Sequence, residues 1–305
     1  MSGPRFRIAL GVGGSLLMAA LLIGCGFGPG EERGDAEVSV TRDFGRIVMY
    51  DEPQPVRDSD DVMRLLTRSV DQVETTYGGG FVESIDGFAA GSADGSPVDW
   101  FFYLDGTESP VGALEAQVDP GDSIWWDRRD WSVTMHVPAV VGSWPQPFEG
   151  HPGAVDVECL MASPVGCDGV VRDLERAGAR VAKVEGEIAS LRVLIGPWSR
   201  LRDEEEVRVM ARGPSESGVY ARFVPAPDTG WLLQPLDSRG GEVGSPSRAG
   251  LVAALSDRSD RVTWIVTGAD EDSVPSGLFG PDLEHRYAVV YPEDQGARPV
   301  GVPRP

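Results

Sequence analysis

The sequence predicts an α+β fold in two domains. Up to about residue 130, one amphipathic helix lies among several short strand-like runs, which is typical of an α+β domain. A segment with four prolines follows at 138–152 and indicates a linker. Beyond the linker, strand-like and helix-like runs alternate as they do in an α/β sandwich. We therefore expect an N-terminal domain at 37–137 and an α/β domain at 153–291.

The N-terminal domain is predicted to begin with a hairpin. Val38 and Val40 precede a turn-like stretch at 43–46, and Ile47 and Met49 follow it. Alternating apolar residues on both sides of such a turn are the usual signature of two paired strands.

A helix is expected after the hairpin. Asp58 or Ser59 can cap its N-terminus, apolar residues follow at helical spacing, and the glycines at 78–80 end it. Turn sequences such as Asp-Gly then separate more strands. These strands are predicted at 81–85, 98–104 and 123–126. The order of two strands, a helix and several strands resembles a β-grasp.

The second domain is predicted to contain two similar strand–helix–strand units. The first unit has strands at 155–160 and 191–195 around a helix at 168–177. The second has strands at 231–236 and 262–267 around a helix at 249–255. A helix at 204–212, a strand at 218–224 and a final strand at 286–291 complete the domain, and we expect 292–305 to be a disordered tail.

The N-terminus is predicted to be a secretory signal. An apolar run follows Arg5 and Arg7 and ends at Cys25, within the sequence Leu-Ile-Gly-Cys. This ending resembles the lipobox of bacterial lipoproteins, which implies cleavage after residues 1–24 and lipidation of Cys25 with a palmitate-type chain. Residues 25–36 would then be a tether on the extracellular side of the cell membrane. An uncleaved membrane helix is the alternative.

The net charge and the lack of known motifs argue against several classes of function. The chain has 27 basic and 48 acidic residues, a net charge of −21, which argues against a nucleic-acid partner. The sequence has no phosphate-binding loop, zinc-protease motif or calcium loop, and its three histidines are scattered. We therefore predict no catalytic residue, metal or cofactor. A cell-envelope hydrolase that uses Asp270 or Glu271 stays open as an alternative, as does a structural or adhesive module.

Two cysteines follow the proline-rich segment. If Cys25 is lipidated, Cys159 and Cys167 form an even pair outside the cytoplasm, and we expect a disulfide. A metal or redox site is the less favoured alternative, because no histidine is near in sequence and the spacing is not Cys-x-x-Cys.

Three sequence runs in the first domain carry a family resemblance. The runs at 80–87, 100–106 and 121–126 resemble the domain family of the C-terminal part of transcobalamin and intrinsic factor, over roughly 37–131. The resemblance implies a β-grasp-like fold and a corrinoid ligand. Together with the lipobox and the segment at 140–144, the chain resembles actinobacterial lipoproteins of unassigned function.

Aromatic residues lie on both faces of the two longest strands of this domain, because side chains alternate along a strand. The family pattern implies that one face forms the core, with Trp100, Phe102, Ile124 and Trp126. The other face carries Phe101, Tyr103 and Trp125, bordered by aspartates. An aromatic patch with a polar rim is typical of a ligand-binding site. The alternative is that this face packs against the second domain.

The sequence therefore predicts a membrane-anchored extracellular lipoprotein that binds a ligand or partner. Its partners would be the membrane, through the lipid, and a small molecule such as a corrinoid, or a protein.

Overall fold

Two six-stranded sheets dominate the protein. The computed structural model describes residues 30–182, 189–227, 230–256, 261–293 and 295–303. The sheets are mixed and the helices few and short, so the fold is of the α+β or mostly-β kind. We refer to residues 30–137 as the first half and to residues from 153 onward as the second half.

The first half contains nine strands and one helix. They are β1 (Glu32–Arg42), β2 (Ile47–Arg57), α1 (Val62–Ser69), β3 (Val73–Thr76), β4 (Phe81–Ile85), β5 (Phe88–Ala89), β6 (Gly91–Ala93), β7 (Ser96–Leu104), β8 (Thr107–Glu108) and β9 (Ser123–Asp130). The first sheet has the order β2-β1-β9-β7-β6, with β8 also paired to β7. Its central pair, β1 and β9, is parallel. The strands β3, β4 and β5 form a separate small sheet.

The helix α1 covers one face of the first sheet. Its N-cap is Asp61, whose side chain accepts a hydrogen bond from the backbone N–H of Arg64 at 2.8 Å. The predicted caps, Asp58 and Ser59, lie outside the helix, because only the Asp61 carboxylate reaches an unpaired N–H of the first turn. The helix also ends earlier than expected, at Ser69, and the chain continues into β3.

The described residues of the second half form eight strands and four short α-helices. They are β10 (Asp156–Cys159), α2 (Asp168–Arg176), β11 (Leu191–Pro197), α3 (Trp198–Leu201), α4 (Pro214–Ser217), β12 (Ala221–Ala226), β13 (Gly230–Pro235), β14 (Ala249–Ser256), β15 (Val262–Gly268), α5 (Gly280–Leu283), β16 (Ala288–Pro292) and β17 (Arg298–Pro299). The second sheet has the order β10-β11-β15-β14-β16-β17. The strands β10, β11 and β15 are parallel, and the remaining pairs are antiparallel. The hairpin β12–β13 forms a separate two-stranded sheet.

The predicted helix at 249–255 is wrong. This segment is β14, a central strand that is buried along almost its whole length. A continuous apolar run has no polar face, so periodicity cannot distinguish a buried strand from a buried helix. Without this helix, the described part of the second half has no repeated strand–helix–strand unit. The predicted helix at 204–212 is also wrong, since only Arg208–Arg212 is helical, as a 3-10 turn.

Three segments that were expected to be exposed are packed. Within the predicted tether, β1 begins at Glu32 and buries Ala36. In the predicted linker, Val140, Val141 and Phe148 are fully buried in the cores. In the predicted disordered tail, β17 pairs with β16. Each segment supplies apolar side chains or backbone hydrogen bonds that a flexible chain would leave unused.

The disulfide between Cys159 and Cys167 is present, with Cα atoms 6.0 Å apart. The proposed lipidation site, Cys25, lies outside the described residues, as does the whole predicted signal at 1–24. Among the residues that are described, no helix has the length and apolar character needed to cross a membrane.

Candidate functional site

The aromatic face predicted to bind a ligand is buried between the two halves. Trp125 and Tyr103 have no exposed surface. The Trp125 ring lies 5.5 Å from the Tyr103 ring and 5.2 Å from that of Tyr287 on the second half. Phe101 is half-buried, beneath the guanidinium of Arg129 at 3.9 Å. An exposed patch at Phe101, Tyr103 and Trp125 is therefore not formed, and the packing alternative describes this face.

The implied core on the opposite face is confirmed. Trp100, Ile124 and Trp126 are buried in one cluster with the apolar side of α1, and Phe102 packs against it. The first sheet is thus covered on both faces, by α1 and by the second half. This arrangement explains why β7 and β9 carry aromatic residues on both sides.

A buried carboxylate ties the halves together. Asp127 is fully buried and accepts hydrogen bonds from Thr41 Oγ1 at 2.6 Å and from Tyr287 Oη at 3.0 Å. It also accepts from the backbone N–H groups of Phe44 and Gly45, each at 3.1 Å. Burial raises the pKa of Asp127, and these donors partly offset that effect.

The tyrosines around this carboxylate stay neutral. Burial raises the pKa of Tyr103 to about 12, and it raises the pKa of Tyr287 well above its usual value. Each therefore keeps its O–H as a donor, and the Tyr287 O–H is used by Asp127. No group of this network reaches solvent, so it serves as a structural joint.

Two glycines allow the halves to approach at the joint. Gly45 has φ +74° and lies directly against the backbone carbonyl of His285. A Cβ at Gly142 would lie 2.6 Å from Trp125 Cζ3 and 2.7 Å from the Arg286 nitrogen. A side chain at either position would push the segment at 285–286 away from Trp125.

Beside the joint, a groove of about 530 Å³ opens between the two halves. Its walls come from the turn after β1, the β6–β7 hairpin, the end of β9, the loop after β13 and the C-terminal segment. The residues that line this inter-sheet groove are Asp43, Arg46, Ala93, Asp94, Ser96, Val98, Arg128, Asp130, Asp237, Ser238, Arg239, Gly241 and Pro303. A concave site of this size at a junction is a common place for a small ligand.

Most charges of the inter-sheet groove are paired with one another. Arg46 lies 3.3 Å from Asp43, and Arg239 Nε lies 3.7 Å from Asp130 Oδ2. Asp237 Oδ1 accepts two backbone hydrogen bonds within its own loop. Because of these contacts, the two arginines and three aspartates have fewer free donors and acceptors with which to bind a ligand.

Arg128 is different. Its Nε donates to the carbonyl of Ala89 at 2.7 Å, which fixes the guanidinium. In the part of the chain that the structure describes, its two Nη groups make no hydrogen bond or ion pair. Burial lowers the pKa of Arg128, but the pKa of a guanidinium is so high that the side chain remains charged. The inter-sheet groove therefore presents a fixed cation whose Nη groups have no hydrogen-bond or close ion-pair partner among the described residues, although the carboxylates of Asp43 and Asp99 act on its charge at longer range.

A second group of polar side chains lies next to Trp125 of the joint. Asp51 on β2 and Glu284 and His285 after α5 place one potential ligand atom each within 4.8 Å of the others. His285 is buried, whereas the two acids are exposed. Sequence reasoning missed this group, since it treated His285 as isolated and could not bring Asp51 next to it.

The acids considered for a hydrolase have structural partners. Asp270 binds Arg248 at 2.6 Å and accepts from Ser273 in its own turn. Glu271 accepts a hydrogen bond at 2.9 Å from the backbone N–H of Ala162, within the disulfide loop, and pairs with Arg200. Neither carboxylate lines the inter-sheet groove, so no specific observation favours hydrolysis.

Comparisons with known proteins cover only part of the chain. Residues 59–129 match the family model described as a domain of unknown function (DUF4430). No curated protein matches.

Two solved structures share a limited likeness. One is haptocorrin in complex with Cbi, with 16% identity, a TM-score of 0.27, and coverage of 32% of this chain and 25% of that chain. Another is a protein from Ruminococcus gnavus described as a putative metal binding protein, with 16% identity, a TM-score of 0.25, and coverage of 32% of this chain and 97% of that chain. The chain thus spans a quarter of haptocorrin's length.

Proposed function

We propose that this protein binds a small molecule with an anionic group in the inter-sheet groove. The observation that carries the proposal is the Arg128 guanidinium, which lines the groove and whose two Nη groups have no hydrogen-bond or ion-pair partner in the described part of the chain. A planar guanidinium with two parallel donors is well suited to a carboxylate or phosphate. Because its Nε is already fixed by a backbone carbonyl, little side-chain entropy is lost when the anion binds.

The ligand is expected to be largely polar. The groove walls combine acids and arginines, some of which form ion pairs with one another, with a few apolar side chains such as Val98. The resemblance of residues 37–131 to the transcobalamin domain family makes a corrinoid the first compound to test. A ligand larger than the groove's volume of about 530 Å³ would place only part of itself between the halves.

The test starts from the natural ligand. Native mass spectrometry of the full chain, purified without refolding, should show a bound small molecule, and calorimetric titration should then give its affinity. Arg128→Gln should weaken binding at least tenfold, since a charge-assisted contact is worth roughly 1.5–3 kcal/mol. Arg172→Gln is the matched control, because Arg172 is an exposed residue of α2 outside the groove.

Two results would contradict the proposal. One is unchanged affinity in Arg128→Gln. The other is the lack of any bound molecule, combined with no heat on titration with a phosphomonoester, a dicarboxylate or cyanocobalamin.

We further propose that lipid on Cys25 holds the protein at the extracellular side of the membrane. The support is the sequence alone: a basic start, an apolar run and a lipobox-like ending. Labelled palmitate should be incorporated into the wild-type chain and not into Cys25→Ser. Incorporation into the serine variant would refute the anchor.

We also propose that the first half is a β-grasp. Its support is the hairpin β1–β2, the helix α1 on one face and the parallel central pair β1–β9. An experimental structure in which β1 and β9 are not paired in parallel would exclude this classification.

A further inference from the structure

We propose that Asp51, Glu284 and His285 form a binding site for a divalent transition-metal ion, with Zn²⁺ as the best-fitting ion. The three residues bring together strand β2 of the first half and the segment after α5 of the second half. A bound ion would therefore link the halves at the edge of the joint. This inference is independent of the ligand in the inter-sheet groove.

The distances are short enough for coordination after small side-chain adjustments. His285 Nε2 lies 3.3 Å from Asp51 Oδ1, and all three ligand atoms are within 4.8 Å of one another. With Zn–N and Zn–O bonds of about 2.0–2.2 Å, tetrahedral ligands are separated by roughly 3.3–3.6 Å. Rotation of the exposed Glu284 side chain can bring its carboxylate oxygen closer to the other two ligand atoms.

The histidine is held in place before any ion binds. Its backbone N–H donates to the Gly142 carbonyl at 3.1 Å, and its ring packs 6.0 Å from that of Trp125. It is only 7% exposed and has φ +53°, a conformation that packing must maintain in a residue with a side chain. The neighbouring Arg286 Nη1 donates to the Gly45 carbonyl at 3.1 Å and fixes the same segment. Such preorganisation lowers the entropy that a ligand would lose on binding.

The donor set selects among metals. One imidazole nitrogen and two carboxylate oxygens suit Zn²⁺ and similar ions, whereas Mg²⁺ and Ca²⁺ prefer oxygen ligands alone. With a neutral imidazole, the two carboxylates carry a charge that a divalent ion neutralises. Because both acids are exposed, water can reach the remaining coordination position.

The experiment is calorimetric titration of the metal-free full chain with ZnCl₂, followed by thermal unfolding with and without the ion. We expect one Zn²⁺ per chain, and a raised melting temperature because the ion binds only the folded arrangement. MgCl₂ at the same concentrations should produce neither effect. Asp51→Asn should weaken Zn²⁺ binding at least tenfold, and this exposed residue can be changed without loss of the fold.

A second histidine–carboxylate contact provides the matched control. His136 Nδ1 lies 3.0 Å from Glu108 Oε1, without a third ligand in the described residues. His136→Ala should therefore leave Zn²⁺ affinity unchanged. The proposal fails if the wild-type chain binds no Zn²⁺, if Asp51→Asn binds as tightly as the wild type, or if His136→Ala abolishes binding.

Discussion

Replacing Trp125 with alanine is expected to lower the free energy of unfolding by about 3–5 kcal/mol, the usual cost of removing a large aromatic from a core. The indole is fully buried, contacts Tyr103 and Tyr287, and donates from Nε1 to Thr41 Oγ1 at 2.8 Å. Its removal would leave a cavity at the joint between the halves. Denaturant unfolding of both chains measures the difference.

Tyr77→Ala is the matched control, because Tyr77 is an aromatic residue of the first half that is 92% exposed. Its effect should stay within about 0.5 kcal/mol. If Trp125→Ala were no more destabilising than this control, the aromatic face would be accessible after all, and the binding patch expected from the sequence would regain its support.

Asp127→Ala is expected to cost about 3–5 kcal/mol of stability, as removal of one partner from a buried charged network does. The change would leave the Tyr287 hydroxyl and two backbone N–H groups without their acceptor, and the Thr41 hydroxyl with only the more distant Trp126 carbonyl at 3.3 Å. Each unpaired buried donor contributes about 1–3 kcal/mol, with incomplete additivity. Denaturant unfolding again provides the measurement.

A double-mutant cycle with Tyr287→Phe separates the contact between the halves from the local turn. The coupling energy between Asp127 and Tyr287 should exceed about 0.5 kcal/mol, because the two groups share a hydrogen bond. Asp127→Asn retains part of the acceptor and should cost less than Asp127→Ala. A loss below about 1 kcal/mol in Asp127→Ala, or a coupling near zero, would contradict the role of this carboxylate.

Local patterns predicted much of the first half. Alternating apolar residues in β1 and β7 marked these two strands, and α1 followed from helical spacing. The same alternation showed two aromatic faces. It could not show what covers the second face, since Tyr287 lies 160 residues beyond Asp127 in the chain.

The second half was predicted less well for a related reason. β14 is apolar along its length, so its sequence shows neither the two-residue alternation of a half-buried strand nor an amphipathic helix's spacing of about 3.6 residues. The segment at 138–152 has the composition of a linker, yet Val140 and Phe148 fill the cores. The proline and glycine content of such a segment indicates where the chain turns. Whether the segment is buried depends on the two sheets against which it packs, and its composition does not show them.

The two candidate sites had no sequence signal. The contact between Arg286 and Gly45, which places His285 near Asp51, spans 241 residues. The inter-sheet groove is similar, because its walls come from five separate segments. Residues that lie so far apart in the sequence do not form a short motif, so the sequence alone could not reveal either site.

The central claim is that the joint makes the two halves one cooperative unit. Differential scanning calorimetry of the wild-type chain tests it most directly. The shared core of Phe44, Tyr103, Trp125, Tyr220 and Tyr287 predicts a single transition, with equal calorimetric and van't Hoff enthalpies. Two separate transitions, one of which is unaffected by Trp125→Ala, would show that the halves unfold independently and would contradict the account.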